Sequence, residues 1–372
     1  MDWIKDELTN MTADKARREL YARKRNLISQ IGLKGKVYIW GTGLLGNFAY
    51  KQFQKNNIKV AGYIDNNKSK IDIAKKVFGC EILEAVDIVV IASIHYPEII
   101  EQLQGINIDN YIYYEELALA DTRFAVYYQA FNKMFEELED NKDQYISLYD
   151  IWADELSKEI YSKVIMYRKT LDSVFLNQAF QLSIKEGIQD FDHVVVESFG
   201  ENCIFFDVGG FDGQSSIDFI DHAKKYKHIY FFEPDKNIIE IAKANLQEKK
   251  NISFINAVVG EARGNVKYDD IGNGGGLVSE KGKEIVETVV LDDFIETGIN
   301  YIKMDIEGYE MEALKGAKHF IEKEKPLLAI SVYHKPGDIH KLVNLILSWN
   351  PDYKAYIRHY TKTYADTVCY FI

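Results

Sequence analysis

Two stretches of this sequence bring glycines and carboxylates together in a way that could hold a small ligand. In the first, the apolar run Ile204-Phe205-Phe206-Asp207-Val208 passes straight into Gly209-Gly210-Phe211-Asp212-Gly213. A buried strand entering a glycine turn and then a helix brings main chain close to a ligand, because Gly209 and Gly213 carry no side chain to hold it off. Ser215 and Ser216 open the following helix, and Asp207 can accept a hydrogen bond from a ligand ammonium or orient the turn. A tight strand-to-helix turn that needs glycine only for steric reasons has the same spacing. The second stretch favours the ligand: Ile229-Tyr230-Phe231-Phe232 is another apolar strand, and it ends in Glu233, 20 residues after Gly213. Pro234 stops that strand, so Glu233 stays at the rim, where a carboxylate can accept both hydroxyls of a ribose. Asp235 is better placed to cap the next helix.

Asn256 and Ala257 end a third strand, where an adenine would lie against backbone and small side chains. The G-x-G-x-x-G spacing of a diphosphate site is missing at Gly209, which suits a cofactor without phosphate. Asp305 and Glu307 stand where a fourth strand gives way to a glycine turn, on the same rim if the sheet is parallel. His334 closes a fifth strand. An imidazole there could take a proton near neutral pH, while Asp305 could instead hold a ligand amine and Glu307 cap a helix. Asp292 and Asp293 could join Asp305 around a hard divalent ion, although no metal is expected. The run Gly272-Asn273-Gly274-Gly275-Gly276 reads as a mobile loop over the pocket or a plain solvent loop.

Near the N-terminus, Val37-Tyr38-Ile39-Trp40 leads into Gly41-Thr42-Gly43-Leu44-Leu45-Gly46, and Tyr63-Ile64-Asp65 ends the next strand with an acid 19 residues after Gly46. Gly41, Gly43, Gly46 and Asp65 complete a dinucleotide fingerprint. A nicotinamide-dependent oxidoreductase is therefore a rival reading, but no hydride-transfer set accompanies the turn. A nucleotide-sugar-binding scaffold is another.

The C-terminal residues, from about Ile204 to Ile372, resemble the FkbM family of methyltransferases. The likeness rests on Asp207 to Ser216, on Phe232-Glu233-Pro234, on Val290-Leu291-Asp292-Asp293, and above all on Ile302-Lys303-Met304-Asp305-Ile306-Glu307-Gly308-Tyr309-Glu310 with Leu314-Lys315-Gly316-Ala317. It implies a seven-stranded class I, Rossmann-like domain, S-adenosylmethionine as donor, and O-methylation of a hydroxyl on a sugar or other small natural product. Gly210 stands where the family's turn usually has Ala, a change of one methyl that should leave cofactor binding intact. Residues from about Gly35 to Leu119 resemble the N-terminal nucleotide-binding domains of bacterial polysaccharide-biosynthesis proteins, which implies a nucleotide or nucleotide-sugar ligand and a role in glycan synthesis.

The elements that must position these residues follow from the hydrophobic pattern. Alternating strands and helices predict a Rossmann-like α/β domain with an N-terminal helix over 1–120, a helical bridge over 121–200 with Tyr127, Tyr128, Phe131 and Phe135 as a packing stripe, and the methyltransferase domain over 201–372. In the last, strands are expected at Ile204–Val208, His228–Phe232, Ile252–Val258, Tyr301–Ile306, Leu327–Tyr333, Lys354–Arg358 and Thr367–Ile372, the final two as an antiparallel hairpin. The composition, 47% hydrophobic and 27% charged, belongs to a folded chain. A net charge of -12 opposes binding to nucleic acid. The acids in MDWIKDELTN are unlike a signal peptide, no apolar run approaches the ~20 residues of a membrane span, and Cys80, Cys203 and Cys369 have no ligand spacing. A cytoplasmic enzyme is expected, with the oligomeric state left open.

Overall fold

The computed structural model describes residues 2–10, 12–124, 129–223, 225–272, 275–280, 282–297 and 300–372. Two compact units account for the chain: one takes residues 1–146, 162–178 and 361–363, the other 147–161, 179–360 and 364–372. The helical segment over 121–200 is thus divided between them. Of its aromatic stripe, Phe135 is buried, while Tyr127, Tyr128 and the side chain of Phe131 lie outside the described residues.

In the first unit β1 (Val37–Trp40), β2 (Val60–Ile64), β3 (Val77–Phe78), β4 (Ile88–Ile91) and β5 (Tyr111–Tyr113) form a parallel sheet in the order β3-β2-β1-β4-β5. Every residue of β1 and β4 is buried, as their unbroken apolar runs require of strands covered on both faces. The two-residue β3 is too short to register in the hydrophobic pattern.

The second unit opens with a small hairpin, β6 (Gly187–Ile188) and β7 (Phe191–Asp192), turning at Gln189-Asp190. Its main sheet contains β8 (Cys203–Val208), β9 (Tyr226–Phe232) and β10 (Ile252–Ile255). A second sheet follows from β11 (Val258–Val259), β12 (Gly264–Gly272), β13 (Gly275–Val278) and β14 (Glu284–Val289). The main sheet then resumes with β15 (Tyr301–Met304), β16 (Leu327–Ser331), β17 (Ala355–His359) and β18 (Thr367–Phe371). Its order is β10-β9-β8-β15-β16-β18-β17, parallel except for β18, which is antiparallel to both neighbours. This is the Rossmann-like α/β architecture expected, with the predicted C-terminal hairpin. The core stacks aromatic rings across the central strands: Phe205 and Tyr301 lie 5.0 Å apart at 15°, and both are fully buried. Each such ring removed from water contributes about 2–3 kcal/mol.

Two expectations are corrected. The strand predicted over Ile252–Val258 breaks at Asn256, whose amide donates to the carbonyls of Glu233 and Pro234, and Val258–Val259 joins β14 in the second sheet. Residues around the glycine run form the β12–β13 ladder, with Gly272 opposite Gly275. A Cβ on Gly276 would meet the Tyr268 ring, so the glycine makes room for that side chain. Asn273 and Gly274 lie outside the described residues.

Candidate active site

The C-terminal ends of β8, β9, β15 and β16 open onto a cavity of about 420 Å³, walled on another side by Tyr268, Gly276 and Val278 of the second sheet. Such a crevice outside the carboxyl ends of parallel strands is where open α/β sheets bind ligands.

At one end lies the β8 turn. Gly209 has φ +77, and a Cβ there would sit 2.0 Å from the Asp305 carbonyl, so packing against the exit of β15 already demands glycine. Asp207 is fully buried and pairs in register with Lys303 of β15. Its Oδ2 accepts from Ser215 Oγ at 2.7 Å and Ser216 Oγ at 2.6 Å, and its Oδ1 lies 3.4 Å from Lys303 Nζ. Lys303 Nζ also donates to the Gly209 carbonyl at 2.5 Å. Burial works against the ammonium, but Asp207, then Asp190 and Asp305, outweigh it and raise its pKa. The turn is therefore pinned from beneath by an ion pair and two serines.

Glu233 ends β9 with 6% exposure and faces the cavity. Its Oε1 accepts the Asp235 N–H at 2.9 Å. Burial pushes its carboxyl up to about 7, opposed by the N–H groups of Asp235 and Phe211. Asp235 itself caps the helix Lys236–Asn245, as the sequence suggests.

At the other end, Asp305 Oδ2 accepts from Gln189 Nε2 at 3.3 Å, and its Oδ1 accepts from Tyr333 Oη at 3.3 Å and lies 3.3 Å from His334 Nε2. His334 Nδ1 is 2.9 Å from Glu310 Oε1, and Nε2 is 3.7 Å from Glu307 Oε2. Glu307 lines the cavity in a left-handed conformation, φ +53, ahead of Gly308 at +93. A non-glycine residue held there stores strain of roughly 1–3 kcal/mol, a recurrent feature of functional sites. Burial raises the Glu307 carboxyl above its ordinary range, with Asp305 and Glu310 adding repulsion and His334 opposing.

Of the residues singled out from sequence, Gly209, Ser215, Glu233, Ala257, Asp305 and Glu307 line this one cavity. Asp207 and Ser216 lie beneath it, and Gly213 packs against Leu246. Asn256 braces the end of β9. His334 departs from the sequence expectation: it is outside the lining, and although burial disfavours its charge, Glu310, Asp305 and Glu307 push its pKa up to about 9. At neutral pH it already holds the proton that a base would have to accept. Asp292 and Asp293 do not approach Asp305 as metal partners: Asp292 accepts the N–H groups of His319 and Phe320, and Asp293 pairs with Arg263 at 2.7 Å.

Lys303, Tyr333, Gln189 and Asp190 were missed. Lys303 had a readable signal, since a lysine inside an apolar strand needs a buried acid. Gln189 and Asp190 had none, because their hairpin spans only six residues.

In the first unit, Gly41 and Gly43 form the turn after β1, Gly46 lies in the first turn of the helix Leu44–Lys55, and Asp65 at the end of β2 accepts from Thr42 Oγ1 at 2.5 Å. Burial would raise Asp65, but Thr42 and the Asn67 N–H hold it below the ordinary range. Cβ atoms at Gly41 and Gly46 would strike main chain, whereas one at Gly43 would meet nothing.

Residues 207–355, which hold the β8 turn, Glu233 and the Asp305 rim, match the methyltransferase FkbM domain. Over 186 residues, 48% of this chain and 75% of the relative, the chain is 23% identical to the hexuronic acid methyltransferase AglP of Haloferax volcanii. The crystal structure of methyltransferase FkbM from Methylobacillus flagellatus KT superposes with a TM-score of 0.75 over 99% of both chains at 20% identity, a likeness of fold. Ahead of that match, residues 33–112 match the C2185-like N-terminal family. Among the described residues no helix is long and apolar enough to cross a membrane.

Proposed function

We propose that this FkbM domain is an S-adenosylmethionine-dependent O-methyltransferase acting on a sugar hydroxyl. The observation that carries the reading is that one cavity joins the pinned glycine turn and Glu233 to the carboxylate rim of Asp305 and Glu307. The donor set fits an adenosine-bearing amino acid. A carboxylate offers about four lone-pair positions, so Glu233 keeps acceptor capacity for ribose hydroxyls beyond the N–H groups of Asp235 and Phe211, and Ala257 leaves room for a flat base. When bound, S-adenosylmethionine supplies an electrophilic methyl group on a good leaving group.

The chain's own contribution is then alignment and one proton. Glu307 is the general base: it faces the cavity, its raised pKa makes it more basic than an ordinary carboxylate, and its close polar neighbour is His334 at 3.7 Å. Asp305 is a positioning residue, accepting from Gln189 and Tyr333 and standing 3.3 Å from His334 Nε2. The His334 imidazolium holds both carboxylates in place and stays charged throughout.

A sugar acceptor is supported by the kinship with a hexuronic acid methyltransferase, but the charge of the lining favours a neutral or amino sugar. Six acidic side chains, Asp190, Asp212, Asp218, Glu233, Asp305 and Glu307, face the cavity, and Lys303, the one lysine or arginine among the described lining residues, is engaged with Gly209 and Asp207. A uronate or a nucleotide diphosphate would find no uncommitted lysine or arginine among the described lining residues.

Calorimetry with S-adenosylhomocysteine, followed by mass spectrometry of glycosides incubated with donor and enzyme, tests the proposal. No binding heat would refute the donor, and donor binding without a methylated glycoside would refute the acceptor. The open space at Gly43 supports a second reading confined to the first unit, a nucleotide held at that turn. Titrating the whole protein with NADH and UDP-glucose, its methyl-donor site saturated, tests it, and absence of heat for both refutes it.

A further inference from the structure

Asp190 takes no part in the chemistry described so far. It sits at the tip of the β6–β7 hairpin with φ +66, and its backbone is held on both sides: the N–H donates to Tyr370 Oη at 3.1 Å, and the carbonyl accepts from Tyr301 Oη. The side chain is 5% exposed, lines the cavity, and leaves Oδ1 with no hydrogen-bond partner. Burying such an oxygen unsatisfied is unfavourable, and the hairpin does not need it, since main chain alone anchors the turn.

The neighbouring acceptors are engaged apart from Asp207 Oδ1, which makes no hydrogen bond but faces Lys303 Nζ at 3.4 Å beneath the cavity. The Gly209 carbonyl receives Lys303 Nζ, Asp207 Oδ2 receives both serines, and Asp305 receives Gln189 and Tyr333. A ligand bearing an ammonium would find its open partner at Asp190. We propose that Asp190 receives the α-ammonium of the methyl donor; this rests on the reading of the cavity as an S-adenosylmethionine site.

The electrostatics agree. Burial, with repulsion from Asp305, Asp207 and Asp366 and against attraction by Lys303, pushes the free carboxyl up to about 8. At neutral pH the group carries a proton, which an arriving ammonium displaces, so binding the amino-acid end releases a proton and tightens as pH rises through about 8.

The test uses the full chain, Asp190→Asn and two probes: S-adenosylhomocysteine, and methylthioadenosine, which has the nucleoside and thioether but no amino acid. Asn tolerates the left-handed turn, so the hairpin keeps its shape. The variant is expected to lose at least about tenfold in affinity for S-adenosylhomocysteine and to bind methylthioadenosine unchanged. Wild-type heats for S-adenosylhomocysteine at pH 7 should vary with the ionisation enthalpy of the buffer, and less so in the variant. Unchanged affinity for S-adenosylhomocysteine, or equal weakening of both probes, overturns the assignment. A wild-type protein that binds neither probe overturns the donor reading and this assignment together.

Discussion

His334 Nδ1 lies 2.9 Å from Glu310 Oε1, the same oxygen that accepts the backbone N–H of Ile306 at 2.9 Å and, more weakly, that of Gly308. The imidazolium thus fastens the end of β16 to the turn that presents Asp305 and Glu307. Its pKa is raised from 6.5 to about 9, so the stability it contributes is fully present below about pH 6.5 and disappears as pH climbs through about 9. His334→Gln should therefore melt below the wild type by a margin that is widest near pH 6 and shrinks by up to about 1.4 kcal/mol per pH unit on the way to pH 9. Thermal melts across that range check it, and a margin independent of pH would sink the ion-pair role.

Glu307→Gln should lower kcat by about 10²–10⁴ while leaving S-adenosylhomocysteine affinity within about twofold. The wild-type rate should fall on acidification through a pKa above the ordinary carboxylate range, because burial and the neighbours Asp305 and Glu310 raise it. If Glu307→Gln stays active and Asp305→Asn does not, the base is Asp305.

The central sheet was legible because its strands are buried on both faces and so read as unbroken apolar runs, as in Cys203–Val208. Asp207, Gly209 and Glu233 stand out in the sequence as candidates because each sits where such a run stops. The second sheet was not, since β12 is polar and glycine-bounded and its partner β14 is largely exposed; nothing local distinguishes it from loop. The charge of His334 was hidden for a different reason: Glu310, 24 positions earlier in the chain, determines it, and only the fold brings the two side by side.

Among the described residues metal chemistry has one geometric candidate, since ligand atoms of Asp305, Glu310 and His334 lie within 4.8 Å of one another. An imidazolium cannot coordinate a metal, and Glu310 Oε1 already serves two backbone donors. EDTA treatment is expected to change neither the melting temperature nor the turnover; loss of turnover with recovery on adding magnesium would replace the ion pair with a metal site.

Acceptor charge gives a rank order. With matched methyl glycosides, kcat/KM should fall from the 2-amino sugar to the neutral hexose to the hexuronate, with at least about tenfold between first and last. The last arm separates this chain from what its hexuronic acid-methylating relative is named for. A preference for the hexuronate would mean that the carboxylates of the rim are neutralised in the working enzyme.

Gly210 and Phe231 compete for one volume. A Cβ on Gly210 would lie 2.1 Å from the Phe231 ring, which is fully buried with Ile239, Ala242 and Leu246 beneath the β8 turn. Alanine at this position is therefore opposed by a phenylalanine on the neighbouring strand, whose ring cannot move without disturbing that cluster. Gly210→Ala should cost about 1–3 kcal/mol through overpacking, and Phe231→Leu should open a small cavity and destabilise alone. Together the two changes should be less damaging than the sum of their separate effects, because the smaller side chain vacates the space that the methyl needs. Denaturant unfolding of the four proteins in the cycle measures that coupling, and strict additivity would show that the turn relaxes away from Phe231 instead.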